Sequence, residues 1–273
     1  MSRTRRSFLA VSTAAPLSFA VARWLGPLPA RAADTAPLAG SVHPEFPTQD
    51  PAIVREVVGV SHGNFDRLRE LVDARPTLAR ASWDWGLGDW ESALGAASHM
   101  GRRDIAEYLL QKGARADLFS AAMLGHLDTV RAYVEASPGI QGTPGPHGIT
   151  LLAHANAGGD EAAAVVAYLE KVGGADVKPS TVDVADDEQA RLLGVYSFGS
   201  GAEDRLEVYQ NDSKRLMVRR GERSGRNLTA VGSREFFPAG APQVRIRFGG
   251  PSSAAPTTLS VWDPGLVIEA TRI

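Results

Sequence analysis

The chain has 273 residues, 29 of them basic and 31 acidic, and it contains no cysteine. Without cysteine there can be no disulfide, no thiolate metal site and no lipid anchored through a thiol. Removal of residues 1–32 takes away five arginines and leaves 24 basic against 31 acidic residues, a net charge of about −7. The charges are also interspersed, which disfavours nucleic-acid binding because that function needs a basic stripe.

Residues 1–32 have the composition of an export signal. They hold five arginines, no acidic residue, an apolar stretch from Phe8 to Ala22 and small residues before Ala33. The segment containing Arg5 and Arg6 resembles the twin-arginine export signal. We therefore expect cleavage after Ala32 and a periplasmic or secreted product, with an ordinary secretory signal as the alternative. Residues 33–50 are predicted to form a flexible leader, and no later stretch predicts a transmembrane segment.

Residues 51–174 repeat one pattern four times. In each copy a glycine is followed three residues later, or directly in the last copy, by aspartate, and the copy ends in an apolar helix. The glycines are Gly63, Gly101, Gly125 and Gly159, and the aspartates are Asp66, Asp104, Asp128 and Asp160. The glycines suit the positive φ that ends a helix, and the aspartates favour the start of the next one. Units of this size must stack to bury their apolar faces, so the pattern predicts a helical solenoid.

The repeats resemble the ankyrin family. The second copy runs from Ser92 through the paired small residues Ala96 and Ala97 to Gly101, and a later copy starts with Thr150-Leu151-Leu152. Successive glycines are 38, 24 and 34 residues apart, whereas the family repeats every ~33 residues. The resemblance implies about four irregular repeats, with the extended finger between repeats two and three missing.

After Gly174 the helical repeat pattern ends, and the sequence predicts a linker over 175–189 and a β domain over 190–273. Short alternating runs at roughly ten-residue spacing predict an antiparallel meander or small barrel. The runs cover residues 194–198, 205–209, 215–218, 243–248, 258–262 and 266–270. The predicted fold class is therefore α+β and multidomain, with a helical solenoid followed by a β domain.

The β region resembles the lipocalin-like domain appended to bacterial penicillin-recognising serine hydrolases. The resemblance rests on Leu193–Tyr196, Phe236-Phe237, Val244–Phe248 and the final Ala270–Ile273. The Ser-x-x-Lys nucleophile of those hydrolases does not occur in the sequence, so their activity does not carry over. The resemblance implies a small non-catalytic module, which also suits a cap on the end of the solenoid.

Two sets of residues invite a catalytic or metal interpretation. Residues 59–63 match the Gly-x-Ser-x-Gly nucleophile elbow, but that elbow follows a strand, and here a repeat helix precedes it. Five histidines lie beside the turns or around the start of the fourth repeat: His62, His99, His126, His147 and His154. Their spacing is not that of a metal motif. We interpret them as capping and surface residues, and we predict no catalytic residue, metal or cofactor.

The segment Trp83–Trp90 carries three tryptophans in eight residues, where the first repeat step is overlong. In ankyrin-like folds this connection forms a finger beside the binding groove, and tryptophan is common among interface hot spots. The alternative is that the tryptophans cover the end of an irregular first repeat. The candidate interaction residues of the finger and groove are Trp83, Trp85, Trp90, His62, His99, Met100, Met123 and Leu124.

The sequence thus predicts an exported, non-catalytic protein whose groove binds an unidentified periplasmic or secreted protein. One alternative is a small-ligand carrier or an enzyme with its site in the β domain or at the domain junction. Another is a structural component of the cell envelope.

Overall fold

The computed structural model describes residues 45–273, and their first half is helical. The export signal with Arg5 and Arg6, the cleavage position after Ala32 and most of the leader lie outside the described residues. The first helix starts at Pro51, where the Asp50 side chain accepts a hydrogen bond from the Ala52 backbone and closes the helix end. The helices are α1 Pro51–Val60, α2 Phe65–Ala74, α3 Ala93–His99, α4 Arg103–Gln111, α5 Leu118–Met123, α6 Leu127–Ala136, α7 Leu151–Ala157, α8 Ala163–Val172 and α9 Asp186–Leu192.

The first eight helices form four pairs, and the pairs contact one another through their first members. Thus α1 contacts α3, α3 contacts α5, and α5 contacts α7. The chain takes positive φ at Gly101, Gly125 and Gly159, as the pattern predicts, although not at Gly63. A Cβ at Gly125 would collide with the backbone carbonyl of Glu161 in the next pair. The glycine therefore serves both the turn and the close approach of neighbouring pairs.

A short hairpin separates the first two helix pairs. Its strands are β1 Ser82–Asp84 and β2 Trp90–Ser92, and Trp83 lies opposite Glu91 in an antiparallel register. Helix α3 follows directly, with the Ser92 hydroxyl accepting from the backbone of Gly95. Helix α1 contacts β1. The hairpin is the insert that the long first repeat step indicates, and it carries two acidic side chains into the interior.

The C-terminal half is a closed antiparallel barrel. Its eight strands follow one another round the barrel in chain order, and β10 pairs with β3 to close it. The strands are β3 Gly194–Ser197, β4 Arg205–Gln210, β5 Leu216–Arg220, β6 Arg226–Gly232, β7 Glu235–Pro238, β8 Arg245–Gly249, β9 Thr258–Asp263 and β10 Gly265–Arg272. The predicted α+β class with an antiparallel β domain is confirmed. Strands β6 and β7 were absent from the predicted runs, and α9 occupies the end of the predicted linker.

Three apolar clusters make the core. One spans α1 to α4, a second spans α5 to α8, and the third fills the barrel around Tyr196, Phe236 and Phe248. The barrel meets the helical half at the β1–β2 hairpin, where Arg226 of β6 bonds to Asp89 and to the Trp85 carbonyl. No helix between residues 45 and 273 is long and apolar enough to cross a membrane.

Candidate functional site

Four side chains from different elements meet beneath the hairpin. His62 follows the end of α1, Glu91 lies at the centre of β2, and His99 is the last residue of α3. His147 lies in a short 3-10 turn, Pro146–Gly148, between the third and fourth pairs. The potential ligand atoms of these four residues all lie within 4.8 Å of one another. We call this group the histidine–glutamate site.

The three imidazoles converge on one carboxylate oxygen. Glu91 Oε1 lies 2.9 Å from His99 Nε2, 3.1 Å from His147 Nε2 and 3.4 Å from His62 Nε2. The other oxygen, Oε2, accepts a 2.7 Å hydrogen bond from the indole of Trp85. Glu91 is thus a buried carboxylate with one oxygen bonded to Trp85 and the other directed at three ring nitrogens.

In His62 and His147, the hydrogen-bond partner of Nδ1 fixes which ring nitrogen carries the proton. His62 Nδ1 lies 3.0 Å from the Gly59 carbonyl, and a carbonyl can only accept a hydrogen bond. His147 Nδ1 lies 2.8 Å from Asp89 Oδ2, and the backbone N–H of His147 donates to Asp89 Oδ1 at 2.8 Å. Both Nδ1 atoms therefore carry hydrogen. In the neutral rings, each Nε2 then points a lone pair at Glu91 Oε1.

The ring nitrogens and Glu91 Oε1 face one another with lone pairs, so positive charge must lie between them. In the metal-free protein, protons supply it. The hydrogen bonds to Asp89 and Glu91 raise the pKa of His147 to about 9, and the hydrogen bond to Glu91 raises the pKa of His62. Burial alone would raise the pKa of Glu91, but its bonds from the three histidines hold that pKa well below the usual range. A divalent cation can replace these protons, because it satisfies all four lone pairs at once.

The distances from Glu91 Oε1 to the three ring nitrogens match those between neighbouring ligands of a transition-metal ion. With bonds of ~2.1 Å, neighbouring ligand atoms lie ~3.0 Å apart on an octahedral ion and ~3.4 Å apart on a tetrahedral one. The Nε2–Oε1 distances of 2.9–3.4 Å fall along these edges. The bond from Asp89 to the outer nitrogen of His147 is the carboxylate–histidine contact that orients metal-binding imidazoles. Three imidazoles and one carboxylate favour zinc, iron, cobalt or nickel over magnesium or calcium.

The backbone is held in an unusual conformation at His147. His147 has φ 58° and ψ 18°, the left-handed region that non-glycine residues rarely adopt. Its neighbours keep it there, because Asp89 binds both its ring and its N–H, and Pro242 of the barrel lies against Gly148. Backbone strain of this kind, about 1–3 kcal/mol, concentrates at functional sites.

Asp89 is itself anchored from the barrel. Its side chain is 1 % exposed, and Arg226 Nη1 donates to its Oδ2 at 2.9 Å. The same guanidinium donates to the carbonyls of Ala239 and Trp85. Burial opposes ionisation of Asp89, yet the bonds from His147 and Arg226 hold its pKa below the usual value. The barrel thereby fixes the hairpin loop that orients His147.

Two of the four side chains are partly exposed to solvent. The side chains of Glu91 and His99 are 0 % and 7 % exposed, whereas those of His62 and His147 are 30 % and 27 % exposed. The exposed pair faces each other, with ring centroids 6.1 Å apart and planes inclined by 26°. An ion bound here would have a closed inner side and an open outer side.

The predicted interaction residues fall in different environments. Trp83 and Trp85 pack against the helical core, and Trp85 also bonds to Glu91. Met123 and Leu124 are buried, so they line no surface groove. Trp90 and Met100 are exposed, by 63 % and 52 %. Trp90 borders a cavity of about 430 Å³ between the helical half and the barrel, lined by Phe119, Pro144, Pro146, Pro242 and Gln243 among others.

The interpretation of the histidines as capping and surface residues needs correction. His62, His99 and His147 converge on Glu91, because stacking places the ends of successive first helices side by side. His154 is fully buried next to Phe119, 6.3 Å from the His99 ring. Only His126, at the start of α6, is an exposed turn residue as expected.

The serine of the elbow motif is also accounted for. Ser61 is fully buried at the end of α1, where its hydroxyl donates to the Val57 carbonyl at 2.7 Å. Sequence reasoning missed Glu91, Asp89 and Arg226. A usable signal was the pair of acidic residues Asp89 and Glu91 at the end of the tryptophan-rich hairpin, directly before the small apolar residues of α3. Comparison of the chain with family models, curated proteins and solved structures finds no match.

Proposed function

We propose that the protein binds one divalent first-row transition-metal ion at the histidine–glutamate site. The observation that carries this proposal is that the two ring nitrogens of His62 and His147 have different partners. Two histidines give their Nδ1 hydrogens to fixed acceptors and aim Nε2 at the same carboxylate oxygen as the third histidine. The site joins the helical half to the barrel through Arg226, which favours the domain-junction ligand site over the expected groove.

The wider proposal is an exported metalloprotein built from an ankyrin-like helical stack and a lipocalin-like barrel. Paired helices with glycine turns and an eight-stranded closed barrel support these two likenesses. A twin-arginine signal would suit a metal-binding protein, because the chain would fold around its ion before export to the periplasm. The four residues come from two helix pairs, the hairpin and the turn before the fourth pair, so folding of the chain would assemble the site.

Zinc titration of the metal-free mature protein tests the proposal. We expect one ion per chain in isothermal titration calorimetry and a zinc edge spectrum that fits nitrogen and oxygen ligands only. Glu91→Gln and His99→Ala should each weaken zinc binding by about a hundredfold or more, since each removes a ligand. The matched control is His126→Ala, which removes an exposed histidine outside the site and should leave the affinity unchanged. Equal affinities in all four proteins, or no zinc binding by the wild type, would reject the proposal.

A second candidate function, contact with another exported protein, is favoured by Trp90. This residue is 63 % exposed at the rim of the junction cavity, beside Phe119 and three prolines. Photo-crosslinking from position 90 in cells tests it, with position 262, where Trp262 lies on the barrel, as the control. A crosslinked protein specific to position 90 is expected, and identical crosslinks from both positions would contradict this function.

A further inference from the structure

The two exposed histidines of the histidine–glutamate site lie beside the end of helix α1, and we call the space over Gly59 there the slot. Its inner end is formed by His62 and His147, the two exposed histidines. His62 folds back over the end of α1, where its Nδ1 bonds to the Gly59 carbonyl. Gly59 has no side chain, and a Cβ built there meets nothing within 4 Å. There is therefore free space on α1 immediately beside a metal ligand.

Trp85 lies beside the same part of the site. Its indole bonds to Glu91, and its ring centroid lies 6.3 Å from that of His147. The guanidinium of Arg55 lies over the same indole, 5.9 Å from the ring centroid. Arg55 is one helical turn before Gly59, on the same stripe of α1 and ~6 Å away along the axis. A cation thus marks the outer end of the slot.

Among residues 45–273, Arg55 makes no ion pair, although the neighbouring Glu56 pairs with Arg67. An arginine held against an aromatic face keeps its hydrogen-bond donors directed outward and binds carboxylates in a planar, paired geometry. Four protein ligands also leave a five- or six-coordinate ion with a position for an exchangeable group. The open side of the site is where that position would lie.

We infer that the bound ion and Arg55 together hold a small dianionic ligand of the dicarboxylate class. One carboxylate occupies the exchangeable position on the metal between His62 and His147. The chain of the ligand passes over Gly59 and beneath Trp85, and the second carboxylate pairs with Arg55. This inference rests on the proposed metal function and adds the class of molecule that the ion binds.

Cobalt-loaded mature protein provides the test, because cobalt reports ligand exchange through its visible absorption. Glutarate and acetate are titrated separately as probes. We expect glutarate to bind at least about tenfold more tightly than acetate, the gain of one charge-assisted hydrogen-bonded pair. Arg55→Gln should abolish that advantage and leave the acetate affinity unchanged. The matched control is Arg69→Gln, which removes an arginine lying over Phe65 on α2, outside the slot.

A second variant closes the slot without threatening the fold. Gly59→Leu adds a good helix former in open space, so the thermal stability should hold or rise. It should nevertheless weaken glutarate binding about tenfold or more by filling the path, while Ala74→Leu on α2 should have no effect. The inference is overturned if glutarate and acetate bind alike, or if Arg55→Gln and Arg69→Gln behave alike. Failure of cobalt to bind at all would instead reject the metal function itself.

Discussion

Two glycines with the same backbone requirement have different neighbours. Gly125 and Gly139 both have positive φ, 77° and 95°. A Cβ at Gly125 would strike the Glu161 carbonyl, whereas one at Gly139 would meet nothing within 4 Å. The first position combines a turn with close stacking of helix pairs, and the second is a turn alone.

Gly125→Ala should therefore destabilise the protein more than Gly139→Ala. Both pay about 1 kcal/mol for placing a side chain at positive φ, and Gly125→Ala adds about 1–3 kcal/mol because a neighbouring pair must move. Urea unfolding of both variants measures the difference. Equal losses of unfolding free energy would show that the stacked pairs yield without cost, contrary to the close approach described above.

His154 is a buried histidine that stays outside the ligand group. It is fully buried, its Nδ1 bonds to the Thr150 carbonyl, and its Nε2 has no partner in the described part of the chain. Burial lowers its pKa in the folded state. As pH falls through ~6.5, the unfolded state gains a proton at this residue that the folded state does not take up.

The wild type should therefore lose stability relative to His154→Leu as pH falls below neutrality. The difference in unfolding free energy should change by up to about 1.4 kcal/mol per pH unit. Denaturant unfolding at several pH values measures it. The control is His126→Leu, which replaces an exposed histidine at the start of α6. Parallel curves for His154→Leu and wild type would show that His154 is protonated in the folded protein.

At the scale of elements, the hairpin connects the barrel to the ligands. Arg226 of β6 bonds to Asp89, to the Trp85 carbonyl and to the Ala239 carbonyl. Asp89 in turn holds His147, and Trp85 bonds to Glu91. Through Asp89 and Trp85, the Arg226 guanidinium therefore positions two of the proposed ligands, His147 and Glu91. Lysine cannot reproduce this geometry, because its three N–H donors leave from one nitrogen, whereas the contacts of Arg226 are divided between Nη1 and Nη2 of a planar fork.

Arg226→Lys should weaken zinc binding by about tenfold to a hundredfold, the usual effect of losing an outer contact to a metal ligand. The pH at which zinc binding is half-complete should also move, because Asp89 then holds His147 less firmly. The matched control is Arg219→Lys, which alters an arginine of β5 paired with Glu207. If both variants bind zinc like the wild type, Arg226 stabilises the junction without acting on the site.

Local features of these elements were predictable, and the site was not. Turn glycines and first-turn aspartates follow from rules that act within a few residues, so the sequence places most of them correctly. The exceptions are Gly63, which lacks positive φ, and Asp160, which lies in a 3-10 turn before α8. The ligands come from positions 62, 91, 99 and 147, and only the stacking of the helix pairs with an inserted hairpin brings them together. Strand β7, Glu235–Pro238, was missed because four residues ending in proline give too short an alternation to recognise.

For the whole molecule, the histidine–glutamate site couples stability to protons and, under the proposed function, to metal. In the metal-free protein, the pKa of His147 is raised from 6.5 to about 9, and that of His62 is also raised. The folded state thus holds protons that the unfolded state has released in this range. The stabilisation is complete below pH ~6.5 and is lost as pH rises through the folded pKa.

Zinc should reverse this dependence. The ion binds the deprotonated ligands, so its affinity rises with pH until the site has lost its protons. The melting temperature of the metal-free protein should fall from about pH 6.5 to pH 9, while the increase caused by saturating zinc grows over the same range. Differential scanning calorimetry with and without zinc measures both trends. His147→Gln should flatten the metal-free curve and abolish most of the zinc effect, whereas His126→Gln should change neither. A zinc effect that shrinks as pH rises would mean that the ion binds elsewhere, because only ligands that must release protons gain affinity in this direction.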